Sequence, residues 1–137
     1  MDECERLEAL ESIVDELAGR AAQGAVILVE GRRDIASLEA LGIRGIIIMT
    51  SQKQLFNLAE SVSHESDDII ILTDWDERGE EVARIAGIFL QANDARPDGD
   101  LRKKLSALCR KEIKDVEGLH GYIERLRQIC QDKPQHY

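Results

Sequence analysis

Two aspartates spaced one residue apart follow a run of apolar residues in the segment IIILTDWDERG, residues 69–79. Successive side chains of an extended segment point to opposite faces, so Asp74 and Asp76 are expected to point one way and Trp75 the other. Two carboxylates this close disfavour joint ionisation; one of them can take a proton, or, more commonly, a divalent cation relieves the repulsion. Oxygen ligands with no Cys or His nearby suit Mg²⁺, Mn²⁺ or Ca²⁺ and not zinc. The pair therefore indicates a candidate cation site.

A third carboxylate, Glu30, ends another apolar run, AVILVE, residues 25–30. Ligands of open parallel sheets bind beyond the carboxyl ends of the strands, so we expect Glu30 to lie near Asp74. Glu30 with Asp74 would hold one ion and Asp74 with Asp76 a second, as in two-metal phosphoryl-transfer centres. The competing interpretation is local: Asp76 is then only the N-cap of a helix that begins at Glu77.

The elements that position these residues follow from the hydrophobic pattern. Three short apolar runs, residues 25–30, 45–50 and 68–73, are typical of buried strands, and stretches of helical periodicity separate them. This β-α-β-α-β-α order predicts a small parallel sheet flanked by helices. One helix is predicted over about 3–19, a second after Gly31, and a third after the N-cap Ser51. Three more are predicted over about 77–90, about 100–113 and about 115–130, the last with Asp115 as its N-cap. The turn-rich residues 93–100 leave room for a short edge strand.

We expect one compact domain with three parts. Residues 1–24 form an N-terminal helix, residues 25–95 the α/β core, and residues 96–137 a C-terminal helical extension. At 137 residues the chain is long enough to bury one hydrophobic core.

The combination of VEG after one strand and TDWDERG after another resembles the Toprim domain, over residues 25 to about 90. The resemblance implies a Rossmann-like α/β Toprim fold in a small stand-alone protein. It implies that Glu30 is a metal ligand and a general acid or base, and that Asp74 and Asp76 are ligands of Mg²⁺, with two ions allowed and Mn²⁺ as a substitute. Gly31 and Gly79 would give the backbone room at the rim of the site.

The sequence departs from the larger Toprim families in ways that narrow the function. It lacks the zinc module of a primase and the separate tyrosine-bearing domain of a topoisomerase. Two hypotheses remain: Mg²⁺-dependent, nuclease-like cleavage or phosphoryl transfer on RNA or DNA, and a non-catalytic or partner-dependent nucleic-acid-processing module. A receiver domain would need two more strands after residue 90, where the pattern is basic and helical.

Charge bears on the partners. The formal net charge of −9 argues against holding nucleic acid by charge alone, so the chain is expected to bind it weakly and a protein partner stays open. Residues 101–114 carry six bases and one acid. We interpret this basic run as a solvated helix face, with Lys103, Arg110 and Lys114 as an alternative surface that tracks phosphates.

Several single residues receive local interpretations. Arg78 is expected to pair with acids of its own helix rather than to contact a phosphate, and Asp34 to neutralise Arg32 or Arg33. Cys4, Cys109 and Cys130 are far apart and odd in number, so we expect packed thiols and neither zinc nor a disulfide. With no apolar run near the ~20 residues of a membrane span and no signal peptide, we expect a cytoplasmic protein.

Overall fold

Short strands alternate with helices along the chain in a computed structural model that describes residues 1–109 and 111–131. The strands are β1 Val26–Val29, β2 Ile46–Met49, β3 Asp68–Ile71 and β4 Arg96–Asp98. The helices are α1 Glu3–Ala22, α2 Arg32–Ala40, α3 Leu55–Glu65, α4 Glu77–Ala92, α5 Asp100–Cys109 and α6 Leu119–Gln131, with a 3-10 turn at Thr50–Gln52. Within the described ranges, every helix is too short or too polar to cross a membrane.

The four strands form one sheet in the order β2-β1-β3-β4, and every neighbouring pair is parallel. This arrangement confirms the predicted α/β fold with a small parallel sheet and C-terminal helices. From β1 the chain moves to β2 on one side and returns through α3 to β3 on the other side. The carboxyl ends of β1 and β3 therefore flank a topological switch point, where ligands of such sheets bind.

Alternate strand residues point to opposite faces of the sheet. Helices cover each face and bury side chains that point to it. One face contributes Ile27, Val29, Ile70 and Leu72 to a core shared with α1, α2, α5 and α6. The other face contributes Val26, Leu28, Ile69 and Ile71 to a smaller core under α3 and α4. β1, and β3 after Asp68, are continuous apolar runs because both of their faces are buried. The expectation that residues 45–50 form a buried strand is wrong, because β2 is an edge strand whose residues are half-buried or exposed.

Some predicted boundaries are wrong. Ser51 lies inside the 3-10 turn and does not cap α3, whose N-cap is Gln54. Asp115 accepts a hydrogen bond from the Gly118 backbone N–H at 2.8 Å, which closes a turn ahead of α6 and does not cap it. The edge strand allowed within residues 93–100 is β4. The interpretations that involve Arg110 and residues 132–137 lie outside the described residues.

A disulfide joins Cys4 in the first turn of α1 to Cys130 at the end of α6, so the expectation of packed thiols is wrong for this pair. The two helices pack along each other, which brings residues 126 positions apart in sequence into contact. Cys109 is the free thiol and is buried; burial raises its pKa to about 12, which keeps it protonated and slow to exchange.

Candidate metal centre

Glu30 and Asp74 meet at the switch point of the sheet. Glu30 directly follows β1, and Asp74 stands three residues after the end of β3. The backbone N–H of Asp74 donates to Oε2 of Glu30 at 2.9 Å. The predicted approach of these residues is confirmed, and their role as metal ligands stays a prediction.

The segment 113–116 holds the loop that carries Asp74. The Val116 backbone N–H donates to Oδ1 of Asp74 at 3.0 Å. Next to it, the Trp75 backbone N–H donates to the carbonyl of Lys114 at 3.0 Å, and Trp75 Nε1 donates to the carbonyl of Ile113 at 2.7 Å. Trp75 packs against the larger core, as predicted. The sequence carries no signal for these contacts, because they depend on where a distant loop comes to lie.

The electrostatics of the pair disfavour two negative charges. Burial, and then the neighbouring Glu30 side chain, raise the pKa of Asp74 to about 7, and the hydrogen bond from Val116 opposes this rise. Asp34 lies close by and is buried, and its pKa is raised chiefly by that burial. A cation between these groups would relieve the cost of ionising Asp74.

Asp76 has a different local role. Its side chain accepts a hydrogen bond from the Gly79 backbone N–H at 2.7 Å and caps α4, so the predicted N-cap is confirmed. Its place in the metal site stays a prediction. Within residues 1–109 and 111–131, no three His, Cys, Asp or Glu side chains are gathered closely enough to hold an ion together.

A cleft of about 370 Å³ opens over Glu30 and Asp74. The other residues that line it are Gly31, Arg32, Arg33, Asp34, Arg78 and Glu117. Arg78 Nε lies 4.0 Å from Oε1 of Glu30, so the expectation that Arg78 pairs only along its own helix is wrong. The cleft thus has an acidic floor and a rim that includes three arginines.

Asp34 does not serve the role expected for it. Its Oδ2 accepts a hydrogen bond from the Gly31 backbone N–H at 3.0 Å and fixes the first turn of α2, while Arg33 pairs with Glu117 at 3.4 Å. Gly31 also differs from expectation, because a Cβ there would meet no atom within 4 Å. Gly31 is therefore not required by the space around it.

The basic run is not one solvated face. Arg102 is buried, whereas Lys103 and Lys104 are exposed. Helix α5 ends at Cys109, so Lys114 does not continue the helical face of Lys103. Lys103 and Lys114 therefore do not share one helical face, and the third member of that alternative surface, Arg110, lies outside the described residues.

The donor set fits the cation that the sequence suggests. Mg²⁺ keeps several waters and commonly takes one or two carboxylates from a protein, with substrate phosphates completing its coordination. Glu30 and Asp74 supply two adjacent carboxyl groups, at a cleft open to water and substrate. The absence of sulfur or imidazole from the cleft lining agrees with a hard cation.

Gly79 is required by close packing. A Cβ at Gly79 would overlap the carbonyl and Cα of Asp74, so we expect Gly79→Ala to displace that loop and to destabilise the protein by roughly 2 to 3 kcal/mol. Gly87, on the same helix, is the matched control because a Cβ there would meet nothing within 4 Å. We expect Gly87→Ala to stabilise the protein by about 0.5–1 kcal/mol. Urea unfolding measures both, and equal effects would contradict the packing argument.

Comparison with known proteins gives one family and several relatives. The model of the Toprim domain matches residues 25–116. The UPF0292 protein of Methanosarcina barkeri is 42% identical over 123 residues, which are 89% of this chain and 85% of that protein. The UPF0292 protein of Pyrococcus horikoshii is 38% identical and covers 89% of each chain. A protein of solved structure from Aquifex aeolicus is similar with a TM-score of 0.67 at 26% identity, over 77% of this chain and 94% of its own.

Proposed function

Since the chain belongs to the Toprim domain family, whose match points to metal-dependent nucleic-acid processing, we propose that it is a Mg²⁺-dependent phosphodiesterase that cleaves nucleic acid. One observation carries the proposal. Two carboxyl-bearing residues, Glu30 and Asp74, are joined by a hydrogen bond at the switch point of the sheet, under a cleft rimmed by arginines. This is the arrangement that phosphoryl transfer needs, with charge stabilisation at the floor and cations facing the substrate.

In this proposal Glu30 and Asp74 hold the first Mg²⁺, and Asp76 adds a carboxylate oxygen if a second ion binds. Bound Mg²⁺ supplies charge stabilisation on the phosphoryl oxygens and lowers the pKa of a bound water. Glu30 is the residue placed to move a proton, since its side chain is 18% exposed and borders the cleft. Mn²⁺ would substitute for Mg²⁺ because it prefers similar oxygen ligands.

The arginine rim supports a nucleic-acid substrate. Arg32, Arg33 and Arg78 line the cleft beside its carboxyl groups and supply guanidinium donors that a phosphate could accept from. The Arg78 side chain is 85% exposed and pairs with Glu30 at 4.0 Å, so it lies beside the carboxyl group proposed to bind metal. With so few cations at the site, we expect binding to be weak and to depend on salt.

A second candidate is a non-catalytic or partner-dependent module that keeps the acidic site. The observation that favours it is the orientation of Asp76, which caps α4 through Oδ1. A site of two carboxylates binds a single ion more readily than two. Such a protein would bind metal and nucleic acid without cleaving it.

Cleavage of defined substrates separates the two candidates. Purified protein is incubated with single-stranded and duplex RNA and DNA, each labelled at one end, in Mg²⁺, in Mn²⁺ and in EDTA. We expect products in either metal and none in EDTA. Binding of metal and oligonucleotide with no product on any of the four substrates would favour the module over the enzyme.

The raised pKa of Asp74 makes metal affinity depend on pH. Metal binding must displace the proton from this carboxyl, whose pKa is about 7 without metal. The ionised fraction is about one tenth at pH 6 and about nine tenths at pH 8, so we expect Mg²⁺ to bind roughly tenfold more tightly at pH 8. Isothermal titration calorimetry at both pH values measures the change. Equal affinities would show that Asp74 is already ionised at pH 6.

A further inference from the structure

Arg102 is the buried cation of the basic run. It lies on α5 with 4% of its surface exposed, although its neighbours Lys103 and Lys104 face solvent. A buried guanidinium is costly unless hydrogen bonds and opposite charge compensate it. The hydrogen-bond partners of Arg102 therefore indicate why the guanidinium is buried.

Within the described residues, Arg102 donates three hydrogen bonds, which go to the loop after β3 and to the helix that follows it. Nε donates to the carbonyl of Thr73 at 2.9 Å, and Nη2 donates to the carbonyl of Asp74 at 2.6 Å. Nη1 donates to Oε2 of Glu80 at 2.8 Å. The Glu80 side chain is 70% exposed, whereas the bond to the Thr73 carbonyl is buried and the bond to the Asp74 carbonyl is partly buried. The planar fork of donors in arginine suits this set, which a lysine could not satisfy.

The Arg102 guanidinium donates the hydrogen bonds that a neighbouring strand would otherwise donate. The pairing of β3 with β4 ends at Ile70 and Asp98, so beyond that point no neighbouring strand on the β4 side reaches the carbonyls of Thr73 and Asp74. Carbonyls withdrawn from water need a donor, and Arg102 supplies one to the buried carbonyl of Thr73 and one to the partly buried carbonyl of Asp74. The loop that carries the carboxylate is thereby fixed beyond the end of the ladder.

Asp74 consequently takes part in three hydrogen bonds, through its backbone N–H, its side chain and its carbonyl. Glu30 binds its N–H, Val116 binds its side chain, and Arg102 binds its carbonyl. The first two contacts fix its direction toward the cleft. The third fixes the Asp74 carbonyl, which limits rotation of the peptide that follows Asp74.

We propose that Arg102 is a positioning residue that sets the orientation of the Asp74 carboxylate for metal binding. This role rests on the proposed function, because it assumes that Asp74 is a metal ligand. Groups that orient a ligand without touching the metal typically change affinity by 10–100-fold when they are lost. Arg102 acts through main-chain carbonyls, so its effect on the metal is geometric.

The test compares Mn²⁺ affinity by calorimetry with melting temperature, in wild type and in Arg102→Met, Arg102→Lys and Leu105→Ala. Leu105 is buried one turn along α5 and is absent from the cleft lining, so Leu105→Ala is the control for simple loss of stability. We expect Arg102→Met to bind Mn²⁺ at least tenfold more weakly, and Arg102→Lys to lie between it and wild type. Leu105→Ala should melt earlier and bind Mn²⁺ as wild type does.

The outcomes separate this role from the proposed function. If the wild type binds Mn²⁺ and both Arg102 variants bind it equally well, the positioning role is wrong and the proposed function stands. If Leu105→Ala weakens binding as much as Arg102→Met does, the effect is one of stability and the role is again wrong. A wild type that binds no Mn²⁺ at millimolar concentration contradicts the proposed function itself. Should Arg102→Met fail to fold, Arg102→Lys alone decides by the same comparison.

Discussion

Asp74→Asn should abolish metal-dependent cleavage while leaving the metal-free protein at least as stable as the wild type. We expect the rate to fall roughly a thousandfold, since the change removes a ligand charge from the centre of the site. The asparagine oxygen can still accept the hydrogen bond from Val116, so the loop keeps its place. End-labelled substrate in saturating Mg²⁺ measures the rate.

The stability half of this expectation follows from the sign of the pKa shift. The pKa of Asp74 is raised from 3.8 to about 7, so the folded state holds the proton more tightly than the unfolded state does. The resulting stabilisation is complete below about pH 4 and is lost as the pH rises through 7. Asparagine carries no titrating charge, so the variant avoids this loss. At pH 8 without metal it should unfold at the same or a higher urea concentration than wild type.

Asp67→Asn is the matched control for Asp74→Asn. Asp67 is exposed and lies just before β3, at the end of the strand opposite to Asp74. The same chemical change there should leave cleavage and metal-induced stabilisation intact. Retained cleavage in Asp74→Asn, or equal loss in Asp67→Asn, would remove Asp74 from the proposed site.

Loss of the Cys4–Cys130 disulfide should produce the largest change in stability. The bond closes a loop that spans 126 positions, and in the chain-entropy model such a constraint on the unfolded state is worth about 5 kcal/mol. We expect the Cys4→Ser/Cys130→Ser variant to unfold at much lower urea concentration than oxidised wild type. The reason lies in the unfolded chain, so the folded structure and its metal affinity should change little.

Reducing agent provides the internal control for this prediction. Reduced wild type should match the double variant, and the double variant should not respond to the reductant. Cys109 does not complicate the comparison, because it is buried and its pKa is raised to about 12. Unfolding curves of wild type that coincide with and without reductant would contradict a stabilising bond.

The sheet and the approach of Glu30 to Asp74 were predictable because both depend on local patterns. Apolar runs of strand length and helical periodicity between them imply parallel strands, and parallel strands bring their carboxyl ends to one edge. The cap formed by Asp76 was predictable for the same reason, as its partner Gly79 lies three residues away. Contacts between residues a few positions apart can be inferred from the sequence itself.

The contacts that complete the site were not predictable in this way. Val116 and Arg102 reach Asp74 from 42 and 28 residues away, and neither residue type signals such a partner. Arg102 shares a basic run with exposed lysines, so composition alone suggested solvent exposure for all of them. The disulfide was missed because the spacing of its cysteines carries no motif. Arg78 was misjudged because helical neighbours are visible in sequence and cleft neighbours are not.

The hydrogen bonds between segment 113–116 and the Asp74 loop determine the shortest part of the chain that could be transplanted with a complete site. A designer who transplanted only the sheet and its crossovers, ending at β4, would carry Glu30 and Asp74 but lose the donors from Arg102 and Val116. The graft would contain both carboxylates, but the loop that carries Asp74 would lack the hydrogen bonds that fix its conformation. Any hybrid protein that borrows this chemistry has to take the chain through residue 116, together with the helix α5 that leads to it.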